Sequence, residues 1–377
     1  MNNEMQCLTC HNRLNTFKVN FKNSITSDNR SIKKDVNYCY CNNCASITMN
    51  EDNIIDLEKH YEDDYNFLLE NDDIEPVLDG LKYSEYIVEL FDEYLSNDKK
   101  KKLLDIGSGK GNLIESFNKK YKNIKYHAIE PNYDAYQALI KKDYIKGYKG
   151  FFSKDFFING EVFDYITLIE VLEHVSNPLN FLKEIAKVMN QKSLLFIEVP
   201  LFNNHKSDLL TIDHINMFTE KNIKNLFALA GFEIIKENIS NRVPMQFIIK
   251  ISSSSKTINL LKENPADILS QSQDYIDKVL KDVSGLKDKK LSVYGQNVVI
   301  DYLVDNNFID INNITCMIND NPAYQGKNKW RNKIDVISFD EFISKKYTKD
   351  IFLSMNDVYH KNVKAKLSGY NLLGLFI

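Results

Sequence analysis

The chain has 377 residues and a formal net charge of −4. That length allows two or three domains, and the mild acidity excludes the basic footprint of a nucleic-acid partner. No apolar run approaches a membrane span, and Met1 to Cys10 has no signal-peptide pattern, so a cytoplasmic protein with no membrane partner is expected.

Five of the six cysteines precede residue 45: Cys7, Cys10, Cys39, Cys41 and Cys44. Cys7-x-x-Cys10 and Cys41-x-x-Cys44 are two knuckles, and two thiolate pairs complete a tetrahedral zinc site with no position left for chemistry. In a reducing compartment clustered cysteines favour metal over disulfides. Cys39 and His11 are rival ligands, but Cys39 gives the less usual C-x-C and His11 is crowded against Cys10. An acidic, aromatic helix with Tyr61 and Tyr65 follows.

Leu103 to Asn112 is an apolar run entering Asp105 and then glycines at 107, 109 and 111. Leu113, Ile114 and Phe117 recur beyond it at helical spacing, so the segment reads strand, turn, helix. Glycines let a backbone turn sharply and approach a ligand that a Cβ would block. The spacing G-x-G-x-G, with an acid before it, suits a cationic or hydroxylated ligand better than a pyrophosphate. Lys110, between the glycines, is expected in solvent. Tyr126 to Asn132 reads as a second strand ending in Glu130, and a carboxylate accepts from both hydroxyls of a diol. Phe151 and Phe152 offer aromatic faces for an adenine. Val162 to Val175 reads as a further strand and helix containing Glu170, Glu173 and His174, the last two expected to be structural.

After a strand over Leu194 to Pro200, followed by His205, comes Leu210 to Thr219 with adjacent Asp213 and His214. Histidine is the natural base near neutral pH. Neighbours on an extended strand point to opposite faces, so only one of the two would face an acceptor there. Met245 to Ile251 reads as the last strand of this unit. A Ser-rich turn at 252–255 and a long helix over Leu260 to Leu286 lead to new strands at 291–296, 314–318 and 351–354, a second α/β unit. Cys316 sits inside one of them as core packing.

The D-x-G-x-G-x-G turn, Glu130 and the Leu172-Glu173-His174-Val175 run resemble, in order, three motifs of the class I S-adenosylmethionine-dependent methyltransferases. The resemblance implies a Rossmann-like α/β core and a cofactor set of Asp105, Gly107, Gly109, Gly111, Glu130, Phe152 and Glu170, with Glu130 on the ribose. Two cysteine knuckles, this core and a trailing Rossmann-like α/β unit further resemble the zinc-containing bacterial deoxysugar C-methyltransferases, which modify nucleotide-linked ketosugars. That likeness extends to Asn319-Asp320-Asn321-Pro322 with Gly326-Lys327 and to Phe352 to Asn356. It implies a zinc module over 1–60, a methyltransferase core over 61–255 and a carboxy-terminal α/β domain over 256–377. It also implies structural Zn²⁺ on Cys7, Cys10, Cys41 and Cys44, and a nucleotide-sugar acceptor methylated at carbon through an enolate or, alternatively, at oxygen or nitrogen. His214 would be the base, with Asp213 orienting a group or binding a hydroxyl; Tyr65 is a possible acid and His205 a weaker base. The chain departs from the family at Tyr294-Gly295-Gln296-Asn297, which lacks the usual Lys and later Gly, so a diphosphate contact there is altered or lost.

Overall fold

The computed structural model describes residues 5–65, 75, 77–78, 80–157, 160–240, 244–253, 258–326, 329–354 and 360–373. Lys327, Met355 and Asn356 of the family-like stretches lie outside the described residues.

A three-stranded antiparallel sheet comes first: β1 (Asn15–Lys18), β2 (Asn37–Tyr40) and β3 (Ile47–Met49), with β2 in the middle. The central sheet follows. Its strands are β4 (Lys102–Ile106), β5 (Lys125–Glu130), β6 (Ile145–Lys149), β7 (Tyr165–Ile169), β8 (Leu194–Val199), β9 (Phe232–Asn238) and β10 (Met245–Ile251). Their spatial order is β6-β5-β4-β7-β8-β10-β9, parallel except for β10, which pairs antiparallel with both neighbours. The chain reverses its winding between β4 and β7, and ligands of such sheets sit at the carboxyl ends of the strands beside that switch.

Local chemistry explains these elements. Ile166, Thr167 and Leu168 in β7 are fully buried because helices cover both faces of a parallel sheet. The first helix after β4, α1 (Asn112–Lys120), buries Ile114 and Phe117 and ends on Lys119 and Lys120, which complement the negative end of the helix. Helix α2 (Tyr133–Leu139) is capped by Asn132, whose side chain accepts from Ala135 N. Helix α3 (Pro178–Ala186) leads to β8. Helix α4 (Glu220–Ala230) starts on a reciprocal Thr219–Asn222 cap and stops at Gly231, φ 87°.

The long helix expected from Leu260 begins later, as α5 (Pro265–Asp282). Asn264 caps it and Pro265 occupies the first turn, where a missing N–H costs nothing. A second, mostly parallel sheet follows: β11 (Leu291–Tyr294), β12 (Ile314–Ile318), β13 (Lys329–Trp330), β14 (Ile334–Ile337), β15 (Asp350–Leu353) and β16 (Asn371–Leu373), ordered β13-β14-β12-β11-β15-β16. Cys316 is buried within it, its thiol 3.4 Å from Ser292 Oγ.

One apolar core joins all three regions. Ile25, Tyr38 and Met49 pack in it with Leu209, Leu210 and Ile212, and with Leu269, Ile276, Val299 and Tyr302. The 211–217 segment therefore runs between the cysteine-containing part and the rest, paired to both Ile25 and Thr48 through isolated bridges.

Candidate active site

A cavity of about 770 Å³ opens at the carboxyl ends of β4, β5 and β7. Its floor is the glycine turn. Gly107 has φ 75°, and a Cβ there would meet Val171 Cγ2 at 2.6 Å, so only glycine fits between the turn and the segment after β7. At Gly111, φ 80°, a Cβ would meet Leu139 Cδ1 at 2.6 Å, which is how α1 seats closely against α2. Asp105 is buried, accepts from Thr167 Oγ1 at 2.6 Å, and is pushed up to about 6 by burial, which its hydrogen bonds only partly offset. Glu130 accepts from Gly109 N at 2.7 Å and Asn132 N at 2.8 Å. Burial nonetheless pushes its carboxyl up to about 7.

Asp105, Gly107, Gly109, Glu130, Phe152 and Glu170 all line this cavity, with Phe151 and Tyr65. Phe152 packs its ring edge-to-face with Phe181, 5.6 Å between centroids. Lys110 also lines it, half-buried and not in solvent as expected, and burial lowers its pKa. Glu170 holds a left-handed backbone, φ 52°, uncommon for a residue with a Cβ. It lines the cavity, where desolvation and neighbouring Glu173 push its carboxyl up.

The wall beyond β7 is a cluster of histidines and carboxylates. The one-turn helix Leu172–His174 places His174 on the cavity, whereas Asp213 and His214 lie behind it and do not line it. The backbone turns at Asp213 instead of running extended, so the expected opposition of the two side chains across a strand does not arise. Asp213 is fully buried. It accepts from Ser27 N at 2.8 Å, Ser27 Oγ at 2.5 Å and Tyr61 Oη at 3.1 Å, and His60 Nε2 lies 3.4 Å away. Burial opposes its charge, but nearby His60, the His174 and His214 fields and the Ser27 hydrogen bonds win and hold it well below the usual range.

His174 Nδ1 lies 2.8 Å from the Asp213 carbonyl oxygen and 2.6 Å from Tyr61 Oη. A carbonyl only accepts, so Nδ1 carries the proton and Nε2 keeps the lone pair. Burial, reinforced by the charge of His214, lowers His174 to about 4 and keeps it neutral. His214 behaves oppositely. Burial works against its charge, but the Asp208 hydrogen bond (Nδ1 to Oδ2, 3.4 Å) and the fields of Asp208, Asp213 and Glu173 raise it to about 9. His214 therefore holds its proton more firmly than a free imidazole, and it lies off the cavity where the expected base would have to be. Glu173, buried with neither oxygen hydrogen-bonded, sits 3.8 Å from His174 Nε2 and is pushed up to about 7, chiefly by burial. His205 does not line the cavity.

Residues 81–237 match the family model described as a methyltransferase domain. That stretch carries the glycine turn, Glu130, His174 and Asp213. Among solved structures, the mitomycin 7-O-methyltransferase MmcR shares 17% identity and a TM-score of 0.37 over 45% of this chain and 54% of its own. An S-adenosylmethionine-dependent methyltransferase from Clostridium acetobutylicum ATCC 824 shares 12% at a TM-score of 0.37, covering 45% and 91%. An O-methyltransferase family protein from Burkholderia thailandensis shares 14% at 0.38, covering 46% and 57%. The chain spans about half the length of the first of these. No curated protein matches it.

The four knuckle cysteines lie outside the methyltransferase domain and come together as a group. Their sulfurs all fall within 4.8 Å of one another, with Cys7 and Cys44 at 3.6 Å and Cys10 and Cys41 at 3.4 Å. Sulfurs bound tetrahedrally at the usual zinc–thiolate length stand about 3.8 Å apart, so this group can hold an ion with small adjustment. The knuckles share one turn: the residue after each second cysteine, His11 or Ala45, has positive φ, 58° and 62°. Its N–H donates to the carbonyl of the first cysteine, Cys7 or Cys41. The rivals stay outside. His11 points into solvent, and Cys39 Sγ is 4.0 Å from Met5 Sδ.

Several site residues carried no local signal. Thr167 holds Asp105, and Ser27 and His60 hold Asp213 from far along the chain. Glu198, buried at the end of β8, accepts from Tyr83 Oη at 2.8 Å and Gln246 Nε2 at 2.5 Å.

Proposed function

We propose that the chain methylates a nucleotide-linked sugar from S-adenosylmethionine, with His174 removing the acceptor proton. The observation that carries this reading is that the glycine turn with Glu130 and the neutral, Nδ1-protonated His174 border one cavity. The residues fit the cofactor. Glu130 retains lone pairs beyond those used by Gly109 and Asn132, beside a backbone that a Cβ would obstruct, and the aromatic faces of Phe151 and Phe152 lie on the same wall. Asp105, Gly107, Gly109, Glu130, Phe152 and Glu170 would hold it. When bound, S-adenosylmethionine supplies an electrophilic methyl on a cationic sulfur.

The remaining work belongs to this chain. The Asp213 carbonyl and Tyr61 fix the His174 ring so that Nε2 takes a proton from a carbon beside a ketone, leaving an enolate whose carbon is the nucleophile. Asp213, buried and ionised, compensates the imidazolium that forms, as the acid of a catalytic triad does. Tyr65 lies on the cavity wall, kept protonated because burial raises it well above the usual range, and can donate to the ketone oxygen. The nucleotide-sugar acceptor is supported by the order of the parts, a cysteine module, this cavity and a second, mostly parallel sheet. The cysteine group would hold a structural zinc ion.

The test is mass spectrometry of nucleotide-linked 4-keto sugars incubated with S-adenosylmethionine in ordinary and deuterated water, for the natural chain and His174→Asn. A gain of one methyl, deuterium washed into the neighbouring carbon without cofactor, and loss of both in the variant are expected. Methylation confined to sugars without a ketone would move the acceptor to oxygen, and an undiminished His174→Asn rate would remove His174 as base.

A further inference from the structure

The cysteine-bearing region reaches well beyond its own fold. Ser27 sits in the loop between two short strands that precede β2, 186 residues from Asp213, yet both its backbone N–H and its hydroxyl donate to that carboxylate. Ile212 N donates to Ile25 O at 2.8 Å, Met49 N to Ile215 O at 2.7 Å and Met217 N to Ile47 O at 3.1 Å. Asn222 and Asn225 donate to the carbonyls of Ala45 and Cys44, the latter a knuckle cysteine. The segment carrying Asp213 and His214 is therefore strapped to the cysteine region as an added strand is strapped to a sheet.

His60 completes the arrangement. It is buried, and Arg30 Nη2 donates to its Nδ1 at 2.8 Å, which leaves Nε2 as the protonated nitrogen, 3.4 Å from Asp213 Oδ2. Arg30 is itself anchored by Asp28, Nε to Oδ2 at 2.9 Å. Asp213 thus accepts from Ser27 and Tyr61, with His60 Nε2 at 3.4 Å and without a hydrogen-bond partner of its own, and its backbone carbonyl faces His174 Nδ1.

We propose that the cysteine module is part of the active site: Ser27 and His60 are positioning residues that hold Asp213 and, through its carbonyl and Tyr61, fix the tautomer and place of His174. The inference deepens the proposed function and rests on His174 as the proton acceptor. Neither residue touches the acceptor, and neither is a catalytic residue. Each removes rotational freedom from the group that orients the base, the role outer partners play for a histidine ligand or general base. Because the strapping bonds include a knuckle carbonyl, an ion on the four thiols would keep this support in register.

The experiment compares the full-length chain with Ser27→Ala, Ser27→Thr and His60→Phe. Nitrogen NMR of ¹⁵N-histidine-labelled protein, with His174 assigned by His174→Asn, reads the His174 tautomer without needing activity. The natural chain and Ser27→Thr are expected to show one Nδ1-protonated form. Ser27→Ala and His60→Phe are expected to show mixed tautomers, a kcat lowered about tenfold for one lost charge-assisted hydrogen bond, and an unchanged KM for S-adenosylmethionine. Ser27→Ala with a natural His174 tautomer and kcat would overturn the inference. If Ser27→Ala does not fold, His60→Phe decides by the same two readings. A natural chain inactive on every nucleotide sugar, but with tautomers mixed by these variants, would refute the proposed function and leave the positioning role standing.

Discussion

Replacing Asp208 with asparagine removes the main partner of a buried charge, and its effect can be worked from the site. His214 has its pKa raised from 6.5 to about 9 in the fold, so it binds its proton more tightly there than in the unfolded chain. A group raised in this way contributes stability fully below its unfolded pKa and loses it as pH climbs through the folded one. The 2.5-unit difference, 9 less 6.5, corresponds to about 3 kcal/mol below pH 6.5 and about 2 kcal/mol remaining at pH 7.5. Without Asp208, burial is opposed only by the weaker fields of Asp213 and Glu173, and most of the shift disappears. Glu173 and Glu198, pushed up to about 7, titrate at lower pH, so the comparison belongs between pH 7.5 and 10. Urea unfolding of both chains across that range should give a gap of about 2 kcal/mol at pH 7.5 that closes toward zero by pH 10. A gap that does not vary with pH would mean that His214 is not held charged, and the reason for moving the base to His174 would go with it.

Other consequences are as direct. Glu130→Ala should weaken S-adenosylmethionine binding about 10- to 100-fold by calorimetry, the worth of one or two hydrogen bonds to a charged group, and should also lower the melting temperature, because the N–H groups of Gly109 and Asn132 lose their acceptor. Gly107→Ala should abolish cofactor binding and lower stability by about 1–3 kcal/mol in a melt, since a Cβ at φ 75° meets Val171 at 2.6 Å. Cys10→Ser should release one equivalent of zinc by elemental analysis and broaden the amide signals of residues 211–217, while Cys39→Ser keeps the metal. With S-adenosylmethionine saturating, the rate on the acceptor sugar should rise from pH 4 to 6 as His174 loses its proton and stay level toward pH 8; a midpoint near 9 on the rising limb would instead identify His214 as the base.

What could be read from the chain itself was whatever local spacing encodes. Asp105, the three glycines, Glu130 and Met245–Ile251 fall where strand ends and turns demand them, because an apolar run, an acid and a glycine turn are contiguous signals. The cysteine pairs converge for the same reason, each knuckle being one short turn. Apolar residues upstream of α5 continue its period, whereas the Asn264–Pro265 cap sets the boundary. The exposure of Lys110 depends on walls supplied by other segments, which its own neighbours do not encode.

The division of labour between the two histidines lies outside local spacing altogether. His174 and His214 are chemically identical and each directly follows an acid, Glu173 or Asp213; the resemblance to the family's base segment points to the second. Their difference arises from what lies across the fold: Asp208 on one ring, and a backbone carbonyl with a tyrosine hydroxyl on the other. A carboxylate beside an imidazole stabilises its proton, whereas a carbonyl fixes a tautomer without adding net charge. An acid–histidine pair in the sequence therefore does not say which ring holds a proton, because the partners that decide it, Asp208 and the Asp213 carbonyl, come from elsewhere in the fold. Asp213 serves both, through its field at His214 and its carbonyl at His174, which is why its own supports at Ser27 and His60 bear on the chemistry.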